Sequence, residues 1–206
     1  MAAVIERVRV VHLGLSPYES TLKAMREFTS NRNADTADEL WLLEHPPVYT
    51  RGLAAAAGFG PKADNGIPVI QVERGGEITY HGPGQVVLYT LVDLARRGIK
   101  VKQFVAMLEQ SVIDLLGSRA ERKPGAPGVY VAGAKVAALG IRVTRGCAFH
   151  GLALNVDMDL APFEAIDPCG QPGLRVTQTR DLGFEFSVDA AGAQLAALLI
   201  ERIEHA

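Results

Sequence analysis

The chain has two thiols, Cys147 and Cys169, and their settings differ. Cys169 stands in Asp167-Pro168-Cys169-Gly170, between a residue with a locked φ and a permissive one. Such a turn can present a sulfur at the surface of a cleft. An unpaired, presented thiol is a candidate nucleophile, with an ordinary loop cysteine as the alternative. Cys147 lies in an apolar strand-like run and reads as a buried structural thiol. A nucleophilic thiol needs its pKa lowered from about 8.5 by a cation or a base. The histidines on offer are His81 and His150; the lysines in the second half are Lys123 and Lys135. Lys135 opens the apolar run Lys-Val-Ala-Ala-Leu-Gly-Ile after a Gly-Ala turn. Taken alone it reads as a solvated strand end. At the edge of an apolar site, however, a lysine is desolvated, its pKa falls and it can act as a base.

A second candidate region runs from Arg74 to Tyr89: Arg-Gly-Gly-Glu-Ile-Thr-Tyr-His-Gly-Pro-Gly-Gln-Val-Val-Leu-Tyr. Gly75-Gly76 and Gly82-Pro83-Gly84 allow tight backbone or close approach by a ligand. The plain alternative is two turns around a short strand, Ile78 to Tyr80. Other constellations are missing. There is no phosphate-binding Gly-x-x-x-x-Gly-Lys-Ser/Thr, no Gly-x-Gly-x-x-Gly after a strand, and no His-Glu-x-x-His. Cys147-Ala-Phe-His150 has a zinc-like spacing without a second matching pair.

The elements that must position these residues follow from periodicity and turn signals. Val4 to Leu13 reads as a first strand. Ser16-Pro17-Tyr18-Glu19 reads as a helix start, with Ser16 as cap, Pro17 at the first helical position and Glu19 completing a capping box. Leu22, Met25 and Phe28 share one helical face, and the polar run Ser30 to Asp38 ends that helix. Glu39 to Glu44 is a short buried strand stopped by His45-Pro46-Pro47. Gly52 to Gly66 reads as a surface loop. Pro68 to Glu73 leads into the Gly-rich region as a strand, and Gln85 to Leu94 leaves it as another. Arg96-Arg97-Gly98 is a turn, and Val101 to Leu116 an amphipathic helix. Val129–Val131, Lys135–Val143 and Cys147–Val156 are strand-like, with connections short enough for hairpins. Asp159 to Gln178 is irregular, Asp181 to Phe186 a further strand, and Asp189 to Ile203 a closing helix. Runs of strands with few intervening helices predict an α+β fold, a mixed or antiparallel sheet with helices packed on it.

Composition bounds the partners. The 206 residues suffice for a real core, and 48% hydrophobic with 21% charged residues is globular rather than disordered. A net charge of −2 without a basic block gives no support to nucleic-acid or membrane-surface binding. The N-terminus carries Glu6, Arg7 and Arg9 and does not read as a signal peptide, and no apolar run reaches spanning length. Two cysteines without a secretion signal predict a reducing, cytoplasmic setting.

Several segments together resemble the lipoyl(octanoyl) transferase family. They are Glu44 to Thr50, Arg74 to Gln85, Ala126 to Val131 followed by Lys135 to Ile141, Arg145 to Val156, and Pro168-Cys169-Gly170. The resemblance runs from about Leu43 to Thr177 with the segments in family order. It implies that the whole chain, 1–206, is one catalytic domain similar to those of the biotin and lipoate protein ligases: α/β, with a mixed central sheet and flanking helices. It implies octanoyl transfer from octanoyl-acyl carrier protein to a lysine amine of an apo-lipoyl domain, through a thioester on Cys169. The acceptors would be 2-oxoacid dehydrogenase complexes and the glycine cleavage H protein. Lys135 would activate the thiol. Substrate contacts would come from Arg74, Gly75, Gly76, Glu77, Ile78, Thr79, Tyr80 and His81, from Ala138, Leu139 and Gly140, and from Gly151, Leu152 and Ala153. No cofactor and no metal are implied.

The residues suit that chemistry. A thiolate exchanges with a thioester donor at little thermodynamic cost, and the amine acceptor benefits from a base. Gly75, Gly76, Gly140 and Gly151 lack side chains that would block a linear acyl chain, while Leu139 and Leu152 can line an apolar slot. Asp167 departs from the asparagine frequent in the family; its carboxylate would oppose thiolate formation unless it points away. Two rival readings remain: an ATP-dependent lipoate or biotin ligase, and a non-catalytic acyl- or metal-binding module.

Overall fold

The computed structural model describes residues 7–55, 60–62, 64–170 and 172–206, with the backbone alone at Cys169. Its frame is a seven-stranded mixed sheet in the order β1-β2-β6-β10-β9-β8-β7. The strands are β1 (Arg9–Leu15), β2 (Glu39–Glu44), β6 (Gln85–Asp93), β7 (Ala120–Lys123), β8 (Ala126–Val131), β9 (Ala134–Thr144) and β10 (Cys147–Asn155). Only β1 and β2 pair in parallel; the other neighbours are antiparallel. A separate three-stranded sheet holds β3 (Val48–Arg51) between β4 (Val69–Gln71) and β5 (Ile78–His81).

The period-two alternation of β6 sorts its side chains between two cores. Val86, Leu88 and Val92 face one core, covered by α3 (Val101–Leu116) and α5 (Val188–Glu204). Val87, Tyr89 and Leu91 face the other, where α1 (Tyr18–Asn31) lays down Tyr18, Leu22 and Met25. On α3 the spacing Phe104, Leu108, Val112 is buried as its periodicity predicts. Because β6 and β10 are covered on both faces, both are buried almost throughout. A short helix α2 (Leu94–Arg97) ends at Gly98 in left-handed backbone, and Asp38 fixes this corner by accepting hydrogen bonds from Arg32, Arg96 and Arg97.

The two central hairpins turn on two residues each, Ala132-Gly133 and Arg145-Gly146, all four at positive φ. That backbone matches the twist of the flanking strands.

The sequence reading needs four corrections here. The first strand starts at Arg9 and extends to Leu15, and the part of its predicted span before Arg7 lies outside the described residues. Helix α1 has no capping box: Pro17 occupies the cap position without a side-chain bond, and the Ser16 hydroxyl donates to Leu13 O at 2.9 Å. Strand β7 was not anticipated, because Glu121-Arg122-Lys123 has the charged look of a loop; it is an edge strand paired with β8. Residues 181–186 form no strand. A turn at Arg180–Leu182 ends at left-handed Gly183, and Leu182, Phe184 and Phe186 then pack on the α3/α5 core. The loop expected over Gly52 to Gly66 falls partly outside the described residues.

Candidate active site

The Gly-rich region folds back over the sheet and roofs a slot. Gly75 N donates to Ile141 O at 3.0 Å, which lays residues 74–76 along the backbone of β9. A Cβ on Gly140 would stand 2.6 Å from Gly75 O, so glycine is required there for the two chains to meet. The floor comes from Ala138, Leu139 and Gly140 of β9 and Gly151, Leu152 and Ala153 of β10. Arg74, Gly76, Glu77, Ile78, Thr79 and His81 line the opposite wall. Gly75 and Tyr80 do not reach the slot. Gly75 serves the backbone contact, and Tyr80 turns away to pack with Tyr49 and Phe163. Gly151 carries a different constraint from the one its sequence suggests: its Cβ would strike Leu88 O at 2.0 Å, so it permits close strand approach to β6.

One end of the slot is built from rings. Tyr18 and Tyr89 line it, and neither was picked out from sequence, where each passes for core. His45 Nδ1 lies 2.6 Å from Ser16 O and must donate to it, so Nε2 accepts from the Tyr89 hydroxyl at 2.7 Å. Toward the opposite end, His81 Nδ1 donates to Gln85 Oε1 at 2.7 Å and Gln85 Nε2 donates to Asn155 Oδ1 at 2.9 Å, with Gln85 and Asn155 lining the Lys135 cavity. Burial pulls His45 down to about 4, and His81 and His150 down to about 3. At neutral pH these imidazoles are uncharged. His81 and His150 therefore cannot be the cation that lowers a thiol pKa. Arg74 is buried across the slot, donating to Thr50 O at 2.7 Å and to Gly75 O at 2.9 Å.

At the other end stands Lys135. It is no solvated strand end: the residue is 3% exposed, its Nζ donates to Pro127 O at 3.0 Å, and it lies 5.1 Å from the Tyr130 ring centroid. Gly128, at φ +140°, makes room for it, since a Cβ there would stand 2.9 Å from Lys135 Cε. The segment after the cysteine turn pairs with the start of β9: Lys135 N donates to Arg175 O, and Thr177 N donates to Lys135 O. This returns the chain to Pro168–Gly170, a single 3-10 turn in which Gly170 N donates to Asp167 O. Glu77 packs so closely on Gly170 that a Cβ would meet its carboxylate at 2.0 Å. Pro168 and Lys135 line one small cavity with Thr79, Ala138 and Asn155, and Thr79 and Ala138 are also walls of the slot. The Cys169 side chain lies outside the described atoms. The Asp167 carboxylate is paired, with Lys62 Nζ at 2.9 Å. Cys147 is buried as expected, and burial raises its thiol pKa.

Comparison with known proteins decides the family. Residues 17–199 match the lipoyl protein ligase A/B catalytic domain. An octanoyltransferase of Thiobacillus denitrificans is 61% identical over 183 residues, 87% of this chain and 84% of its own. That of Dechloromonas aromatica is 52% identical over 198 residues, 95% and 96% of the two chains. The chain belongs to the octanoyltransferase family. Family membership makes the protein an acyltransferase and implies an acyl donor and a lipoyl-domain acceptor. The fold is that of the ligases the sequence pointed to. A bi-partite lipoate protein ligase from Thermoplasma acidophilum superposes with a TM-score of 0.72 at 17% identity, covering 96% of this chain and 84% of that one. Biotin protein ligase from Aquifex aeolicus, in complex with biotin and ATP, gives 0.57 at 14% identity, covering 95% and 70%. Among the described residues no helix is long and apolar enough to cross a membrane.

Proposed function

We propose that the protein moves an octanoyl group from octanoyl-acyl carrier protein to a lysine amine of an apo-lipoyl domain, with Cys169 as the acyl carrier and Lys135 as its activator. The supporting observation is the continuity of the cavity. The walls at Lys135 and Pro168 run through Thr79 and Ala138 into the apolar slot. An acyl group held at the cysteine turn has its tail in the slot and its carbonyl beside a buried lysine. Burying the tail contributes about 0.8 kcal/mol per methylene, several kcal/mol in all.

The steps are two acyl transfers at one carbonyl carbon, a thioester exchange and then an aminolysis. The Cys169 thiolate attacks the donor carbonyl, the carrier thiolate leaves, and it takes a proton. The acceptor amine, deprotonated, then attacks the Cys169 thioester; an amide forms and the Cys169 thiolate is released. Lys135 supports both steps, by holding the thiolate as a cation or by accepting the proton of thiol or amine. The acceptors in this reading are the lipoyl domains of 2-oxoacid dehydrogenase complexes and the glycine cleavage H protein. Arg74, Gly76, Glu77, Ile78, Thr79 and His81, with the lining residues of β9 and β10, bind the acyl chain.

The test is mass spectrometry of the protein after exposure to an octanoyl thioester without ATP. One octanoyl adduct mapping to Cys169 is expected, lost in Cys169→Ser together with all transfer, while Cys147→Ser keeps most activity. An adduct on Cys147, or transfer from free octanoate that depends on ATP, would overturn the reading in favour of a different carrier or a ligase.

A further inference from the structure

His150 lies in the middle of β10, yet its φ is +62°. Left-handed backbone is costly for a residue with a Cβ, and in a strand it needs a reason. Parity supplies one. Ala148, Leu152 and Leu154 face the α3/α5 core, whereas Phe149 and Ala153 face the α1 core. By alternation His150 belongs with the first group. The left-handed turn swings its ring to the other face, where it stacks on Phe149 at 4.9 Å, meets Tyr89 edge-on at 6.1 Å and lines the slot. Thr90 holds the distorted backbone, its hydroxyl donating to His150 O at 2.9 Å. The residue is 1% exposed, and neither ring nitrogen has a hydrogen-bond partner among the described residues. Packing alone explains none of this, since an apolar residue at normal φ would fill the α3/α5 core without strain and without two unmet polar atoms.

Its place along the slot gives the ring a function. β9 and β10 run antiparallel, with Ala153 opposite Ala138 and His150 opposite Ile141. Ala138 is where the slot joins the Lys135 cavity. His150 thus lies three residues further on, about 10 Å at the strand rise, which is the scale of a medium-chain acyl tail. Behind it the ring wall cannot retreat, because Tyr89 is tied through His45 to Ser16 O. We propose that His150 is the distal stop of the acyl slot, a specificity-determining residue that sets the upper limit on acyl chain length. A tail that ends short of the ring keeps its methyl among apolar walls. A longer one drives its methyl into a close-packed imidazole that has no space to yield.

This inference rests on the reading of Cys169 as acyl carrier. Its test is transfer of hexanoyl, octanoyl, decanoyl and dodecanoyl groups, with the Cys169 adduct followed for each, in wild type, His150→Asn and His150→Phe. Asparagine tolerates left-handed backbone and is smaller, so His150→Asn keeps the fold and deepens the slot. The ratio of decanoyl to octanoyl transfer should rise about tenfold, the worth of one or two methylenes in a hydrophobic pocket. His150→Phe keeps a ring of greater volume and should shift preference toward hexanoyl. An unchanged ratio in His150→Asn, at an unchanged melting temperature, overturns the proposal. A wild type that forms no Cys169 adduct with any chain would instead overturn the thioester reading.

Discussion

The two ends of the slot are built from different material. The distal end is sheet core: Tyr89 and His150 sit on the central strands β6 and β10, and Tyr18 and His45 are locked to them by ring contacts of 4.9 to 6.1 Å. The reacting end is half loop. Lys135 opens β9, but the turn Pro168–Gly170 lies in a stretch where, among the described residues, α4 (Ala161–Glu164) is the one α-helix and isolated hydrogen bonds to β9 and the end of β10 replace a ladder. Rigid strands suit a wall that must measure a tail, because displacing them disturbs a packed core. A turn suits a group proposed to meet an acyl donor and a lipoyl domain in succession, since loops reposition at low cost. In the proposed reading, the difference separates selection from chemistry along one cavity.

The strongest test of that division is at the chemical end. Losing Lys135 should slow transfer by about 10²- to 10⁴-fold, the range for removal of a positioned acid or base, and raise the apparent thiol pKa of Cys169 toward about 8.5. Lys135→Arg keeps charge but not proton transfer, since arginine stays protonated. The pH dependence of iodoacetamide labelling in wild type, Lys135→Ala and Lys135→Arg separates the two roles. If charge suffices, arginine restores labelling while transfer stays low. Superimposed titration curves for all three would remove Lys135 from the site and leave the buried, neutral His81 and His150 as proton acceptors to test rather than as standing cations.

The buried imidazoles around the slot should announce themselves in acid. His45, His81 and His150 have folded-state values lowered from 6.5 to about 4, 3 and 3, chiefly by burial. A lowered histidine value means that the unfolded chain binds more protons between the folded and unfolded values. Stability is therefore complete above about pH 6.5 and falls as pH drops, by up to roughly 1.4 kcal/mol per pH unit for each group. Denaturation midpoints measured from pH 7 to 4 should decline steeply, with His150→Asn flattening the slope by about one proton. A flat profile would mean the rings carry partners in solution that stabilise their charge.

Gly151 sharpens the comparison within the sheet. A methyl there meets Leu88 O at 2.0 Å, whereas one at Gly75 meets nothing nearer than 3.5 Å. Gly151→Ala should cost about 1–3 kcal/mol through overpacking, and Gly75→Ala far less. Thermal melts decide it. Equal melting temperatures would show that β6 and β10 yield more easily than a distal wall should.

How much of this was legible in the sequence follows the same division. Strands and helices with clear periodicity, such as Val101–Leu116 and Cys147–Asn155, are found within a residue of their expected ends. The Gly-rich segment and Lys135 were visible because chemistry of this kind needs unusual residues in fixed order. Tyr18, His45 and Tyr89 are not among the expected substrate contacts, although His45 and Tyr89 lie in segments the sequence marks, because aromatic residues beside apolar runs satisfy a core equally well. The inversion of His150 could not be read at all: alternation assigns it to the opposite face, and a positive φ at a non-glycine residue leaves no compositional mark. Asp181 to Phe186 misled for the reverse reason, since its alternating aromatics mimic a strand while Gly183 bends them onto the core.

The smallest expected effect probes the turn itself. Asp167 is two residues from Cys169, and an uncompensated carboxylate there would raise the thiol pKa by disfavouring a second negative charge. The structure compensates it with Lys62, whose Nζ stands 2.9 Å from the carboxylate and whose backbone N–H donates to Ala165 O. The lysine side chain is 60% exposed, so solvent and salt screen the pair. Lys62→Ala should raise the apparent Cys169 pKa by a few tenths of a unit at low ionic strength, and the shift should vanish at about 0.5 M salt. Asp167→Asn should lower the value by a similar amount, and the double variant should return it close to wild type, since the two charges act on the thiol in opposite senses. Labelling rates across pH at two salt concentrations measure all three. A shift near a full unit that persists in high salt would mean that the ion pair is closed off from solvent and that the turn is held as firmly as the distal wall.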